Sequence, residues 1–108
     1  MANLNFNKIQ KQYLTVTLRD KNKTTIFVGT PTKKLLDELI SLNSSINNDN
    51  LNSDELGNEL YEICAKLMSR NKGNVNIEKE LLEDIFDIED IMIFLKAYMD
   101  FVSSQAKN

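Results

Sequence analysis

Residues 87–102 read DIEDIMIFLKAYMDFV, with more apolar side chains per turn than one face of a helix can hold. At 100° per residue, Ile88, Ile91, Met92, Leu95, Tyr98, Met99 and Val102 form one stripe. Ile93, Phe94, Ala97 and Phe101 gather on the opposite side. Charge is squeezed mostly into a strip between them holding Glu89, Lys96 and Asp100, plus Asp90. A surface helix shows one apolar stripe, whereas a helix oily on two sides needs cover on both. That cover can come from the same chain, wrapped around a central helix, or from other molecules. Ile93, Phe94, Ala97 and Phe101 are therefore the expected association surface.

The rest of the chain sets limits on what can surround this segment. Its 108 residues make one domain with a core of modest size. No run of eighteen apolar residues is present, so no membrane contact is expected. The opening MANLNFNKIQKQYL lacks the apolar block of a signal peptide, which points to an intracellular chain. A single cysteine, Cys64, cannot close an internal disulfide and fits a reducing compartment. Histidine is absent, which removes the commonest general base, the Ser-His and Cys-His nucleophile pairs and imidazole metal ligands.

The pattern along the chain is that of an α+β domain: an N-terminal β-hairpin packed on three to four helices, mainly helical. Residues 1–12 are Asn- and Lys-rich, a loose arm or an added strand. Tyr13 to Leu18 alternates, with Leu14, Val16 and Leu18 facing one way and Tyr13, Thr15 and Thr17 the other. After the polar turn at residues 19–23, Thr25 to Gly29 resumes a β-branched pattern and closes the hairpin. Thr30 is the expected N-cap of a first helix, with Pro31 at its first position and Leu35, Leu36, Leu39, Leu42 and Ile46 at helical spacing.

Asn43 to Asp54 reads as a polar connection. Within it, Asn48, Asn50, Asn52 and Glu59 imitate calcium-loop spacing. The first ligand is not Asp, however, and Ser53 stands where the sharp turn needs Gly, so a metal site is rejected. A second helix follows over residues 54–71, with Ser53 as N-cap. It carries Leu56, Leu60, Ile63, Cys64, Leu67 and Met68 on one stripe and has Gly73 as stop signal. Asn76 is positioned to cap a short third helix over residues 77–85, and Asp87 the last one. The single domain is expected to span 13–102, with residues 103–108 fraying.

Charge is distributed unevenly. Residues 1–34 hold seven cations, Lys8, Lys11, Arg19, Lys21, Lys23, Lys33 and Lys34, against Asp20 alone, while residues 35–108 hold six against fifteen carboxylates. Such halves can attract each other within a chain or between copies. The basic third also suits electrostatic contact with phosphates, although no helix-turn-helix or zinc signature accompanies it. Carboxylate pairs such as Asp37/Glu38, Glu83/Asp84 and Asp87/Glu89/Asp90 are numerous, but helix starts and solvated faces account for them more simply than acid–base chemistry. No enzyme activity, cofactor or metal is expected.

The order of these pieces resembles the tail assembly chaperones of long, non-contractile-tailed bacteriophages and related prophages. The likeness covers roughly residues 13–102. It lies in YLTVTL, a charged turn and TIFVGTPTKKLLDELISL, then ELYEICAKLMSRNKG, then a short helix leading into FDIEDIMIFLKAYMDFV. These motifs contain no catalytic residue. The resemblance implies a non-enzymatic assembly factor in the host bacterial cytoplasm that coats a tape-measure protein and recruits tail-tube subunits through protein–protein contacts. In that family a longer form arises by programmed frameshifting. Self-association through the oppositely charged parts of the chain would suit such a role. The alternative is a small phage-encoded regulator that binds nucleic acid through the basic N-terminal third.

Overall fold

The computed structural model describes residues 2, 4–6, 11–47 and 54–106. It shows an α+β, mainly helical fold in which a two-stranded antiparallel hairpin precedes the helices. Strands β1 (Leu14–Thr17) and β2 (Thr25–Val28) pair Leu14 with Val28 and Val16 with Ile26. This register puts Leu14, Val16, Ile26 and Val28 on the core face, and the threonines and Phe27 face outward. The Asp20 carboxylate holds the intervening turn, accepting from the Thr24 amide at 2.8 Å and from its hydroxyl at 2.5 Å. Those two donors keep the Asp20 carboxyl below its ordinary pKa. Lys23 closes the turn in the left-handed region (φ 48°).

Helix α1 spans Lys33–Asn47. Its cap is Thr32 rather than Thr30: the Thr32 hydroxyl accepts from Leu35 N at 3.3 Å and its carbonyl from Leu36 N at 2.9 Å. Thr30-Pro31-Thr32 offers two hydroxyls, and the chain uses the second, leaving Pro31 outside the helix. The helix also continues through Asn43, Ser44 and Ser45, where a connection was expected. Poor intrinsic helix formers are carried along because the turn before them is anchored by buried Leu39 and Leu42.

Helix α2 (Asp54–Met68) packs against α1, against β2, and against both remaining helices, α3 (Lys79–Ile85) and α4 (Ile88–Ala106). Leu56, Leu60, Ile63, Cys64, Leu67 and Met68 are all buried, so the stripe read from the sequence is the middle of the core. Helix α2 ends at Met68, before Gly73, and the left-handed residue beyond it is Asn74 (φ 56°). Asn71 organises this exit. It is 6% exposed; its Nδ2 donates to Met68 O (2.9 Å) and Val75 O (2.7 Å), and its Oδ1 accepts from Val75 N (2.8 Å). A buried amide with these bonds made is tolerated, and with any of them missing it is costly. The same segment forms an antiparallel bridge with β2: Gly29 N donates to Arg70 O at 2.8 Å and Lys72 N to Phe27 O at 3.0 Å.

Helix α3 begins at Lys79 with Glu78 at its N-cap and no side-chain capping bond, so Asn76 is not the cap. Instead Ser69 Oγ fixes the approach, donating to Ile77 O and accepting from Ile77 N. Asp87 does start α4 as expected, in a reciprocal box with Asp90: Asp90 N reaches Asp87 Oδ1 at 2.8 Å, and Asp87 N reaches Asp90 Oδ2 at 3.1 Å. Helix α4 runs to Ala106, which corrects the expectation of fraying from Ser103. Half of the expected arm (residues 1, 3 and 7–10), and Ser53 with the calcium-like Asn48, Asn50 and Asn52, lie outside the described residues.

Two predictions follow from this core. Asn71→Ala removes three side-chain bonds at a buried turn and is expected to destabilise by about 2–3 kcal/mol in urea unfolding. Burial pushes the Cys64 thiol from 9.0 and the Tyr98 phenol from 10.0 up to about 12 in each case, Arg70 partly opposing it at Tyr98. The unfolded chain therefore releases these protons at lower pH than the folded one. Stability should be full below about pH 9 and fall progressively toward pH 12, on the order of a few kcal/mol, as a shift of urea midpoint between pH 8 and 11 would show.

Candidate functional site

Helix α4 carries the residues on which the sequence placed an association surface, and the structure divides them. Phe94 is 7% exposed and belongs to the core, while Phe101 is half-buried against it. Their rings flank that of Tyr98, at centroid separations of 5.7 Å for Phe94 and 6.2 Å for Phe101. Tyr98 is fully buried, and its hydroxyl donates to Gly29 O at 2.8 Å, tying α4 to the exit of β2. The aromatic side of the helix is thus turned inward, which corrects the placing of Phe94 on a free surface. Ile93, at 61% exposure, and Ala97 do face outward.

The other stripe of α4 is only partly covered. Between it and α1 lies an open, mainly apolar groove of about 240 Å³. Buried Leu39, Leu42 and Leu95 line it together with half-buried Met92 and Met99, and Lys96 and Asp100 stand alongside. Exposed Ile93 lies beyond Lys96 and Asp100 on the helical wheel, outside the groove. Methionine is unbranched and polarizable, and it adapts to differently shaped apolar partners. A groove of this composition can receive the apolar face of another helix.

The seven cations of the basic third do not form one patch. Arg19 pairs with Asp90 at 3.0 Å and Lys33 with Asp37 at 2.8 Å. Lys21 and Lys23 sit on the hairpin turn, and Lys11 precedes β1 at the opposite end of the hairpin. Lys34 occupies the start of α1. Lys8 lies outside the described residues. Sequence reading missed that Lys11 instead lines a cleft with Arg70 and Lys72, which arrive from the end of α2. No local pattern signals that meeting, since it depends on the bridge between β2 and residue 71.

A larger concavity, about 460 Å³, lies between α1 and α2 and is lined by Asp37, Glu38, Glu59, Glu62 and Lys66 among others. Lys66 reaches Glu38 across it at 3.7 Å, an ion pair between exposed helix faces. Cys64 is buried, and its raised pKa keeps it a thiol, so it packs rather than reacts. Among the described residues no group of three His, Cys, Asp or Glu side chains is placed to hold a metal, and no helix is long and apolar enough to cross a membrane.

Comparison with protein-family models, with curated proteins and with solved structures finds no match.

The division of α4 predicts opposite outcomes for neighbouring residues. Phe94→Ala should cost about 3–5 kcal/mol of stability by opening a cavity. Ile93→Ser should stay within roughly 0.5 kcal/mol of the parent chain. Thermal unfolding followed by circular dichroism measures both.

Proposed function

We propose that this chain is a non-enzymatic assembly factor of the phage tail assembly chaperone kind. It holds a helical segment of a tape-measure protein and recruits tail-tube subunits through protein–protein contacts. The observation that carries the reading is the open groove between α1 and α4, with Met92 and Met99 half-buried beside buried leucines. Completing the burial of two half-buried methionines against a client helix yields roughly half of the ~1.5–3 kcal/mol of full burial per side chain, which suits a reversible holding contact. A long helical client presents such faces repeatedly, so several copies can sit along it. The opposed charge of the first third and the remainder favours neighbouring copies in a fixed orientation.

The test is co-expression with a phage tape-measure protein, a long helical chain, as candidate client. Met92→Gln with Met99→Gln is expected to lower client capture at least ~10-fold while the helical circular dichroism signal is kept. Binding that survives both substitutions would remove the groove from the mechanism.

A further inference from the structure

Three separate parts of the chain meet at the end of the hairpin away from its turn. They are the approach to β1 (Lys11, Tyr13), the exit of β2 (Gly29, Thr30) and the turn after α2 (Arg70 to Asn74). Together they line a cleft of about 310 Å³ with three cations, Lys11, Arg70 and Lys72, and no carboxylate. The cleft is held by backbone bonds: Gly29 N to Arg70 O, Lys72 N to Phe27 O, and the bonded Asn71 amide beneath. Arg70 is oriented as well, since its Nε donates to Thr30 O at 3.1 Å. Among the described residues none of the three cations forms an ion pair with a carboxylate, although Arg19, Lys33 and Lys66 each do.

Like charges gathered on one concave surface repel, and a bound anion relieves that repulsion while taking charge-assisted hydrogen bonds from a pre-positioned guanidinium. Tyr13 adds a second feature: its ring lies beside Gly29 and is 37% exposed on the wall of the same cleft. Cations that take a phosphate next to an accessible aromatic ring are the elements that hold one unit of a nucleic acid, phosphate on the charge and base on the ring. We propose that this cleft binds a nucleotide unit, with Arg70, Lys11 and Lys72 on its phosphate and Tyr13 against its base. The site does not depend on the α1/α4 groove or on the assembly reading.

The experiment uses the full chain at low ionic strength with four probes: inorganic phosphate, adenosine monophosphate, a labelled twelve-nucleotide oligothymidylate and a ten-residue polyglutamate peptide. Binding of the mononucleotide or the oligonucleotide should fall roughly tenfold or more in Lys72→Glu. It should change less than about twofold in Lys34→Glu, which makes the same charge change at the start of α1, outside the cleft. Tyr13→Leu should weaken both nucleotide probes and leave inorganic phosphate unaffected. Preference for the oligonucleotide over the monophosphate identifies a strand as the source of the unit, and the reverse identifies a free nucleotide. The proposal is overturned if no nucleotide probe binds at millimolar concentration, if Lys34→Glu and Lys72→Glu weaken binding alike, if Tyr13→Leu leaves nucleotide affinity unchanged, or if polyglutamate binds more tightly than every phosphate probe. The last result would mark the cleft as a dock for an acidic protein segment.

Discussion

The apolar stripe of α2 is the surface that the rest of the chain must reach. Leu56, Leu60, Ile63, Cys64, Leu67 and Met68 are all withdrawn from water, and α1, α3, α4 and β2 each supply part of the wall that does it. A two-stranded hairpin is marginal by itself in water, and a seven-residue helix such as α3 is shorter than isolated helices tolerate. Both persist because they cover α2. The polar work happens where the chain leaves that helix. Ser69 fixes the path into α3, Asn71 fixes the turn, and the backbone from Arg70 to Lys72 docks on β2. One helix thereby sets the position of the sheet and of the two helices that follow it.

The inward face of the hairpin and the α2 stripe were legible in the sequence because each repeats with a period that burial enforces, two in the strands and about 3.6 in the helix. The last helix was harder. Its two apolar sides correctly signal a need for cover, but a helical wheel does not say which side the core takes. The ring series Phe94–Tyr98–Phe101 and the Tyr98–Gly29 hydrogen bond draw the aromatic side inward, and the methionine side is left partly open. Cap positions differed for local reasons: Thr30 and Thr32 offer the same hydroxyl two residues apart, and only the bond made to Leu35 N separates them. Asn71 looks like one more turn residue among its neighbours, and its burial exists only once β2 lies across it. The gathering of Lys11, Arg70 and Lys72 was invisible for the same reason.

Charge plays two different parts in this fold. Where the basic hairpin turn meets the acidic start of α4, Arg19 reaches an Asp90 carboxylate that is already engaged in capping the helix, so a first-third cation is matched within the chain. At the other end of the hairpin the cations have no such match among the described residues, and the cleft keeps its field. The apolar groove lies elsewhere again, between α1 and α4. A domain of this size therefore offers an oily contact and an electrostatic one in separate places, and each can be altered without touching the other.

The bridge between β2 and Asn71 has a further consequence, for assembly by strand pairing. It occupies Phe27 O and Gly29 N, so the Val28 end of β2 is closed to a further strand, while β1 has no strand on its other side among the described residues. A sheet with both margins open can add neighbours in either direction and grow into a fibre. Here the chain's own backbone already takes the second margin at its Val28 end, which blocks a further strand from pairing along the whole of β2. Two copies pairing antiparallel along β1 would do so about a two-fold axis.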